Sequence, residues 1–232
     1  MSLEPMRGGL VVSVQASPDS PLASPETMSA IARAAELGGA AGIRAEGPAD
    51  VRAIKEAVSV PVIGLLKRDL PGSPVRITPS LDDARAVAGA GADVVAVDAT
   101  LRLRPGGVTT RDFVAALAGE LEQPLLADVD SREAAMAARA AGADAVATTL
   151  SGYTGDGPAP DKPDLELVGR LAAALDCPVL AEGRYSTPEE VSAALDAGAF
   201  AVVVGTAITD PLALTRRFAA GTALRRSHVT PR

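Results

Sequence analysis

Two kinds of junction alternate along this chain, and their alternation constrains the fold more than any single motif. Apolar runs led in by Val60-Pro61-Val62, Gln123-Pro124-Leu125 and Cys177-Pro178-Val179 begin at a proline. The runs between them are led in by Gly39-Ala40, Gly91-Ala92-Asp93, Gly142-Ala143-Asp144 and Gly198-Ala199-Phe200. A glycine there suits a helix C-cap in the left-handed region. The double unit returns roughly every fifty residues, which is the mark of an internal (βα)2 repeat.

The apolar runs cover residues 9–16, 42–46, 61–66, 94–100, 124–129, 145–150, 178–183 and 201–208. Most are rich in Val, Ile and Leu without strict polar alternation, as expected of parallel strands covered on both faces. Between them, residues 28–37, 50–58, 81–90, 111–120, 132–141, 165–175 and 188–197 carry apolar residues at helical spacing, and 212–225 reads as a last helix. Eight strands, each followed by a helix, predict an α/β fold: a single-domain (β/α)8 TIM barrel over residues 8–226. Residues 1–7 and 227–232 read as flexible ends. A doubly wound open sheet is the alternative, but its first turn should carry a Gly-rich dinucleotide fingerprint. The turn after residues 9–16 has none.

Composition narrows the function. Aromatics make up 2% of the 232 residues and Trp is absent, so a base-stacking platform for nucleic acid is excluded. The formal net charge of -7 argues against nucleic acid or an anionic membrane as partner. A small anion remains compatible, because local backbone N–H groups can hold one phosphate. The single histidine, His228, rules out a multi-histidine metal site, and the single cysteine, Cys177, rules out an intrachain disulfide. No stretch reads as a signal peptide or a membrane span, so the expected compartment is the cytoplasm.

In a barrel of this class the site lies where the strands end. The polar residues that end the runs are Gln15, Arg44, Lys67, Asp98, Asp128, Thr148 with Thr149, Glu182 and Gly205-Thr206. Pointing outward, several would be unpaired charges under helices, which is costly; convergence on one rim satisfies them. Of Thr148 and Thr149 only one need face the site. Asp98 suits either a loop-capping or a substrate role, and Arg44 suits either the site or a pair with Glu46. Lys67, at the end of a buried run, is placed for desolvation, which would tune it for proton transfer. The loop 68–79 beside it reads as a lid or wall.

Strands seven and eight add a phosphate argument, because barrels often bind phosphate with the loops that follow them. Here Gly183 and Gly205 would let backbone N–H groups approach the oxygens, Thr206 follows, and Arg184 can add a charged fork. Thr187 before Pro188 reads as an ordinary N-cap.

In order and spacing these residues resemble one family, the bacterial N-acetylmannosamine-6-phosphate 2-epimerases. The similarity runs through residues 9–16, Gly42-Ile43-Arg44, Gly64-Leu65-Leu66-Lys67-Arg68-Asp69, Ile77-Thr78-Pro79, Val97-Asp98-Ala99-Thr100 and Ala127-Asp128. It continues through residues 148–154, Ala181-Glu182-Gly183-Arg184 and residues 204–209. The resemblance implies a (β/α)8 barrel without metal or organic cofactor. It implies interconversion of N-acetylmannosamine 6-phosphate and N-acetylglucosamine 6-phosphate in sialic acid and amino-sugar breakdown, and a homodimer. It implies Lys67 and Glu182 as the catalytic pair, with the Lys67 amine kept partly neutral by burial and by Arg44 or Arg68. Gln15, Arg44, Asp128, Thr148 and Tyr153 then become substrate contacts, and Gly183, Arg184, Gly205 and Thr206 the phosphate site. Val14, Asp210 and Thr206 depart from the residues common in relatives, and the loop 155–163 is individual. The rival readings are a Schiff-base lyase or synthase of another sugar phosphate, and a non-catalytic sugar-phosphate-binding barrel. For the dimer, helix 212–225 is a possible interface, although a helix that simply covers the barrel is the plainer reading.

Overall fold

Strands and helices alternate from end to end. In order they are β1 (Leu10–Val14), α1 (Pro25–Leu37), β2 (Gly42–Glu46), α2 (Pro48–Ala57), β3 (Val62–Leu65), α3 (Leu81–Gly89), β4 (Val94–Asp98) and α4 (Thr110–Glu120). Then come β5 (Leu125–Asp128), α5 (Arg132–Ala140), β6 (Ala145–Ala147), α6 (Leu165–Ala174), β7 (Val179–Glu182), α7 (Pro188–Asp196), β8 (Ala201–Val204), α8 (Thr206–Thr209) and α9 (Pro211–Arg226). This computed structural model describes residues 3–226 except 18, 156 and 159, with side chains to residue 222. The eight strands pair in sequence order, all parallel, and close where β8 meets β1. The strands are shorter than the apolar runs: the last run ends at Val204 and its remainder turns into α8.

The two junction styles are two ways of leaving a helix. After α1, α3, α5 and α7 the chain passes through Gly39, Gly91, Gly142 and Gly198 at φ +97° to +112°, which a side chain would strain. After α2, α4 and α6 it leaves through extended residues, Val58, Leu121 and Leu175, and reaches the next strand at a proline. There Pro61, Pro124 and Pro178 need no N–H, and their carbonyls accept from Ile43, Val95 and Val146 of the neighbouring strands. At the other helix ends, Ser80 and Thr187 form capping boxes with Asp83 and Glu190.

Side-chain parity divides the core in two. Val12, Ile43, Val62, Val95, Ala127, Val146 and Val179 face the helices. Val11, Ile63, Leu65, Val94, Ala96, Leu126, Ala145, Ala147, Leu180, Ala201 and Val203 fill the lumen. Small residues let the helices sit close: a Cβ on Gly64 would lie 2.6 Å from Val87 Cγ1 and 2.8 Å from Ala92 Cβ.

The N-terminal stretch corrects an expectation. Residues 3–7 are not a frayed end, because Glu4–Met6 form a 3-10 turn that pushes the fully buried Met6 against the lumen core. The Gly8 N–H donates to Phe200 O at 2.7 Å and Arg7 lies 4.6 Å over the Phe200 ring, so the segment plugs the floor of the barrel. Residues 1–2 and 227–232 lie outside the described residues.

The C-terminal helix corrects another. Helix α9 is not an ordinary cover for the barrel wall: its described residues are exposed or half-exposed, with Phe218 76% and Leu212 47% exposed.

Candidate active site

The period of two that sorts the core also builds the site. Continuing the lumen-facing positions to the strand ends gives Ser13 and Gln15, Arg44 and Glu46, Lys67, Asp98, Asp128, Thr149, Glu182 and Gly205. The lowest layer is ionic. The Arg44 guanidinium donates to both oxygens of Asp128, at 3.0 and 2.6 Å, and lies 3.1 Å from Glu182 Oε2. Arg44 and Asp128 are sealed under the floor of the cavity, while the Glu182 side chain remains 14% exposed at its edge. The Thr149 hydroxyl bridges the two acids, 2.6 Å from Asp128 Oδ1 and 3.1 Å from Glu182 Oε2.

Burial pushes the Glu182 carboxyl up to about 7, and the Asp128 charge acts in the same direction against the pull of Arg44, Thr149 and Lys67. Burial also opposes the Arg44 charge, but Asp128 and Glu182 outweigh it and hold the guanidinium above the ordinary arginine range. One acid of the pair is thus poised to exchange a proton near neutrality, and the other anchors the arginine.

Lys67 stands above this layer. Its Nζ donates to Gln15 Oε1 at 2.5 Å and lies 3.5 Å from Glu46 Oε2. Gln15 is oriented in turn, because its Nε2 donates to Ser13 Oγ at 2.8 Å. The burial expected of Lys67 is not found, since its side chain is 39% exposed. The expected cationic neighbours are committed elsewhere, Arg44 to the buried acids and Arg68 to Asp83 at 3.0 Å. The loop 68–79 folds back on β3, with the Thr78 N–H donating to Leu66 O at 2.7 Å and the Arg68 N–H to Arg76 O at 3.0 Å. Asp69 and Arg76 from this loop line the cavity. Thr78 is fully buried and gives its hydroxyl to Ala96 O, which makes it structural.

Above these residues opens a cavity of about 1090 Å³, ample for a sugar phosphate. Gln15, Lys67, Tyr153, Glu182, Gly183, Arg184, Gly205 and Thr206 line it. Gly183 takes φ +114°, and a Cβ on Gly205 would lie 3.3 Å from Ser13 Cβ. Thr209 ties α8 to β1 by donating to Ser13 O at 2.8 Å.

Two predicted contacts are held by other groups, and Asp98 takes the first of its two readings. Thr148 does not face the cavity: one residue out of phase with the lumen, its hydroxyl donates to Glu182 O at 2.9 Å and accepts from Glu182 N at 3.0 Å. Its neighbour Thr149 takes the position in the site. Arg184, at φ +66°, donates from Nε to Lys162 O at 2.7 Å and from Nη1 to Ser151 O at 2.6 Å. Its guanidinium lies 5.1 Å over the Tyr153 ring, so it pins the β6–α6 loop over the cavity. Asp98 is a loop cap, taken up by Thr100 N and Oγ1 and by Arg102. Asp210, a departure noted in the sequence, caps α9 by accepting from Ala213 N at 2.9 Å.

Glu46 was not singled out from the sequence as a site residue. It lies two positions beyond Arg44 on the same strand, so period-two parity was the signal for it. Among the described residues no cluster of three or more metal-ligating side chains is found, and no helix is long and apolar enough to cross a membrane.

Comparison with known proteins bears on the family and the fold. Residues 28–223 match the profile of the NanE family, described as "Putative N-acetylmannosamine-6-phosphate epimerase". A protein of that description, with "2-epimerase", from Caldanaerobacter subterraneus subsp. tengcongensis is 48% identical over 217 residues, covering 93% of this chain and 92% of the relative. One from Thermosynechococcus vestitus is 50% identical over 204 residues, covering 88% of this chain and 89% of the relative. The solved structure of the N-acetylmannosamine-6-phosphate 2-epimerase from Clostridium perfringens superposes with a TM-score of 0.88 at 40% identity, covering 93% of this chain and 94% of that one.

Proposed function

The chain belongs to the N-acetylmannosamine-6-phosphate epimerase family, and on that premise we propose that it interconverts N-acetylmannosamine 6-phosphate and N-acetylglucosamine 6-phosphate by proton transfer at C2. The observation that carries the reading is the lysine held at the lumen mouth by Gln15 and Glu46, directly above a buried Arg44–Asp128–Glu182 layer.

Epimerisation removes the C2 proton and returns one to the opposite face. In the ring-open aldehyde the carbonyl acidifies that proton. The Lys67 amine takes it, and the C2–H electrons move into an enolate delocalised onto the C1 oxygen, with the acetamido nitrogen still on C2. A positioned base contributes about 10²–10⁴-fold. Glu182, with its carboxyl near 7, is suited to shuttle the proton that ring opening and closing require. Arg44 supplies positive charge beneath the enolate, and Asp128 keeps the guanidinium in place. The phosphate lies at the other end of the cavity, against the backbone N–H groups of the Gly183 and Gly205 turns, beside Thr206. Tyr153 and Arg184 wall the sugar. The residues present suffice for this chemistry without a metal or organic cofactor. The role belongs to sialic acid and amino-sugar breakdown, in the cytoplasm where such phosphorylated sugars are handled.

The exposed apolar side chains of Ile208, Leu212 and Phe218 support a homodimer built through α8 and α9. The test of the activity is proton NMR of the purified protein with N-acetylmannosamine 6-phosphate. Growth of the C2 epimer to a fixed ratio is expected, and an unchanged spectrum would sink the reading.

A further inference from the structure

Glu46 is a carboxylate with no structural task. Among the described residues it caps no helix and accepts no hydrogen bond, and its cation partner is Lys67, with Nζ 3.5 Å from Oε2. Three acids of the cavity floor and wall have partners of their own: Asp128 and Glu182 pair with Arg44, and Asp69 with Arg76. The pair is partly open to water, 39% on the lysine and 27% on the glutamate, and exposed ion pairs contribute little to folding. Its place in the barrel is nonetheless specific. Glu46 faces the lumen in phase with Arg44, and its register partner on β3 is Leu65, two residues before Lys67. The lysine therefore reaches across to strand two for a charge, and to strand one for the Gln15 carbonyl oxygen.

We infer that Glu46 is a positioning residue that acts on the protonated form of Lys67. This rests on the epimerase reading, in which Lys67 takes the C2 proton. An amine carries no charge for Glu46 to attract. Once the proton arrives, the new ammonium is held between the Gln15 oxygen and the Glu46 carboxylate. The ion pair that forms with the enolate is then stabilised from the lysine's side. Glu46 touches Lys67 and not the substrate, so its loss belongs in kcat and not in KM.

Glu46→Gln keeps the shape and removes the charge; Glu46→Asp keeps the charge on a shorter arm. With N-acetylmannosamine 6-phosphate as substrate, Glu46→Gln is expected to lose about tenfold in kcat with KM within about twofold of the parent. Glu46→Asp is expected to recover part of that loss. The far-ultraviolet spectrum and melting temperature of both should match the parent, because the pair is exposed. A Glu46→Gln enzyme with parental kcat, or a loss carried equally by Asp and Gln, overturns the assignment. So does a loss that appears in KM alone. A parent enzyme that does not epimerise at all overturns the epimerase reading instead.

Discussion

Arg44 and Asp128 form a two-point ion pair at 2.6 and 3.0 Å with almost no exposure on either side chain. A buried pair is costly to assemble but far costlier to halve, because the survivor keeps its charge without its partner. Glu182 alone, at 3.1 Å from Arg44, is an incomplete replacement. Asp128→Ala should therefore destabilise the fold by about 3–5 kcal/mol. Urea unfolding measures this, and a midpoint within error of the parent would contradict it.

Glu182 makes stability depend on pH with an unusual sign. Its folded carboxyl titrates at about 7 against an ordinary value of 4.5. Between those values the folded protein keeps a proton that the unfolded chain has released. Stability should fall as pH rises through that window, by up to about 3 kcal/mol, and level off above it. Glu182→Gln cannot ionise there. Its stability relative to the parent should rise across the window, as read from denaturant midpoints at several pH values. A constant difference between the two would exclude the raised carboxyl.

The barrel was legible because its signals are local. Pro61, Pro124 and Pro178 mark strand starts, and Gly39, Gly91, Gly142 and Gly198 mark the turns out of helices, whatever surrounds them. The rim residues were legible because they end apolar runs. What sequence position could not supply was phase and partnership. Thr148 and Thr149 have equal strand propensity, and only lumen parity separates the one that braces β7 from the one that meets Glu182. Lys67 ends a buried strand, yet the fold lifts its amine to the mouth of the cavity. Arg184 is as cationic as a phosphate ligand should be, but two loop carbonyls hold it. The exposure of α9 was equally illegible, because its residues read as an ordinary helix.

The two threonines give a paired experiment. Thr148→Val strands the buried Glu182 backbone N–H and removes a donor from its carbonyl, so a loss of about 1–3 kcal/mol in stability is expected. Thr149→Val removes the hydroxyl between Asp128 and Glu182, and the expected loss is about tenfold or more in kcat with a smaller change in stability. Calorimetry and steady-state rates on both variants decide it. If Thr148→Val carried the kinetic defect and Thr149→Val did not, the lumen phase of β6 would be misassigned.

Lys67→Ala should abolish epimerisation while leaving product binding measurable by calorimetry with N-acetylglucosamine 6-phosphate. For the parent, single turnover in deuterated water separates two routes. Separate bases on the two faces place solvent deuterium at C2 in every first-turnover product. A lysine that serves both faces returns part of the original proton. Turnover by Lys67→Ala at the parental rate would remove the lysine from the mechanism altogether.

Phe218 is 76% exposed on α9, and Leu212 and Ile208 are each nearly half exposed nearby. An aromatic ring left this open on a helix whose described residues bury so little is best covered by a second copy. In a two-fold interface each substitution is counted twice. Removing a buried Phe costs roughly 1.5–3 kcal/mol per site, so Phe218→Glu should weaken association by about two to four orders of magnitude. Sedimentation at micromolar concentration should then show a dimer for the parent and a monomer for the variant. A parent that sediments as a monomer would leave α9 without its proposed partner, and a variant that stays dimeric would move the interface elsewhere.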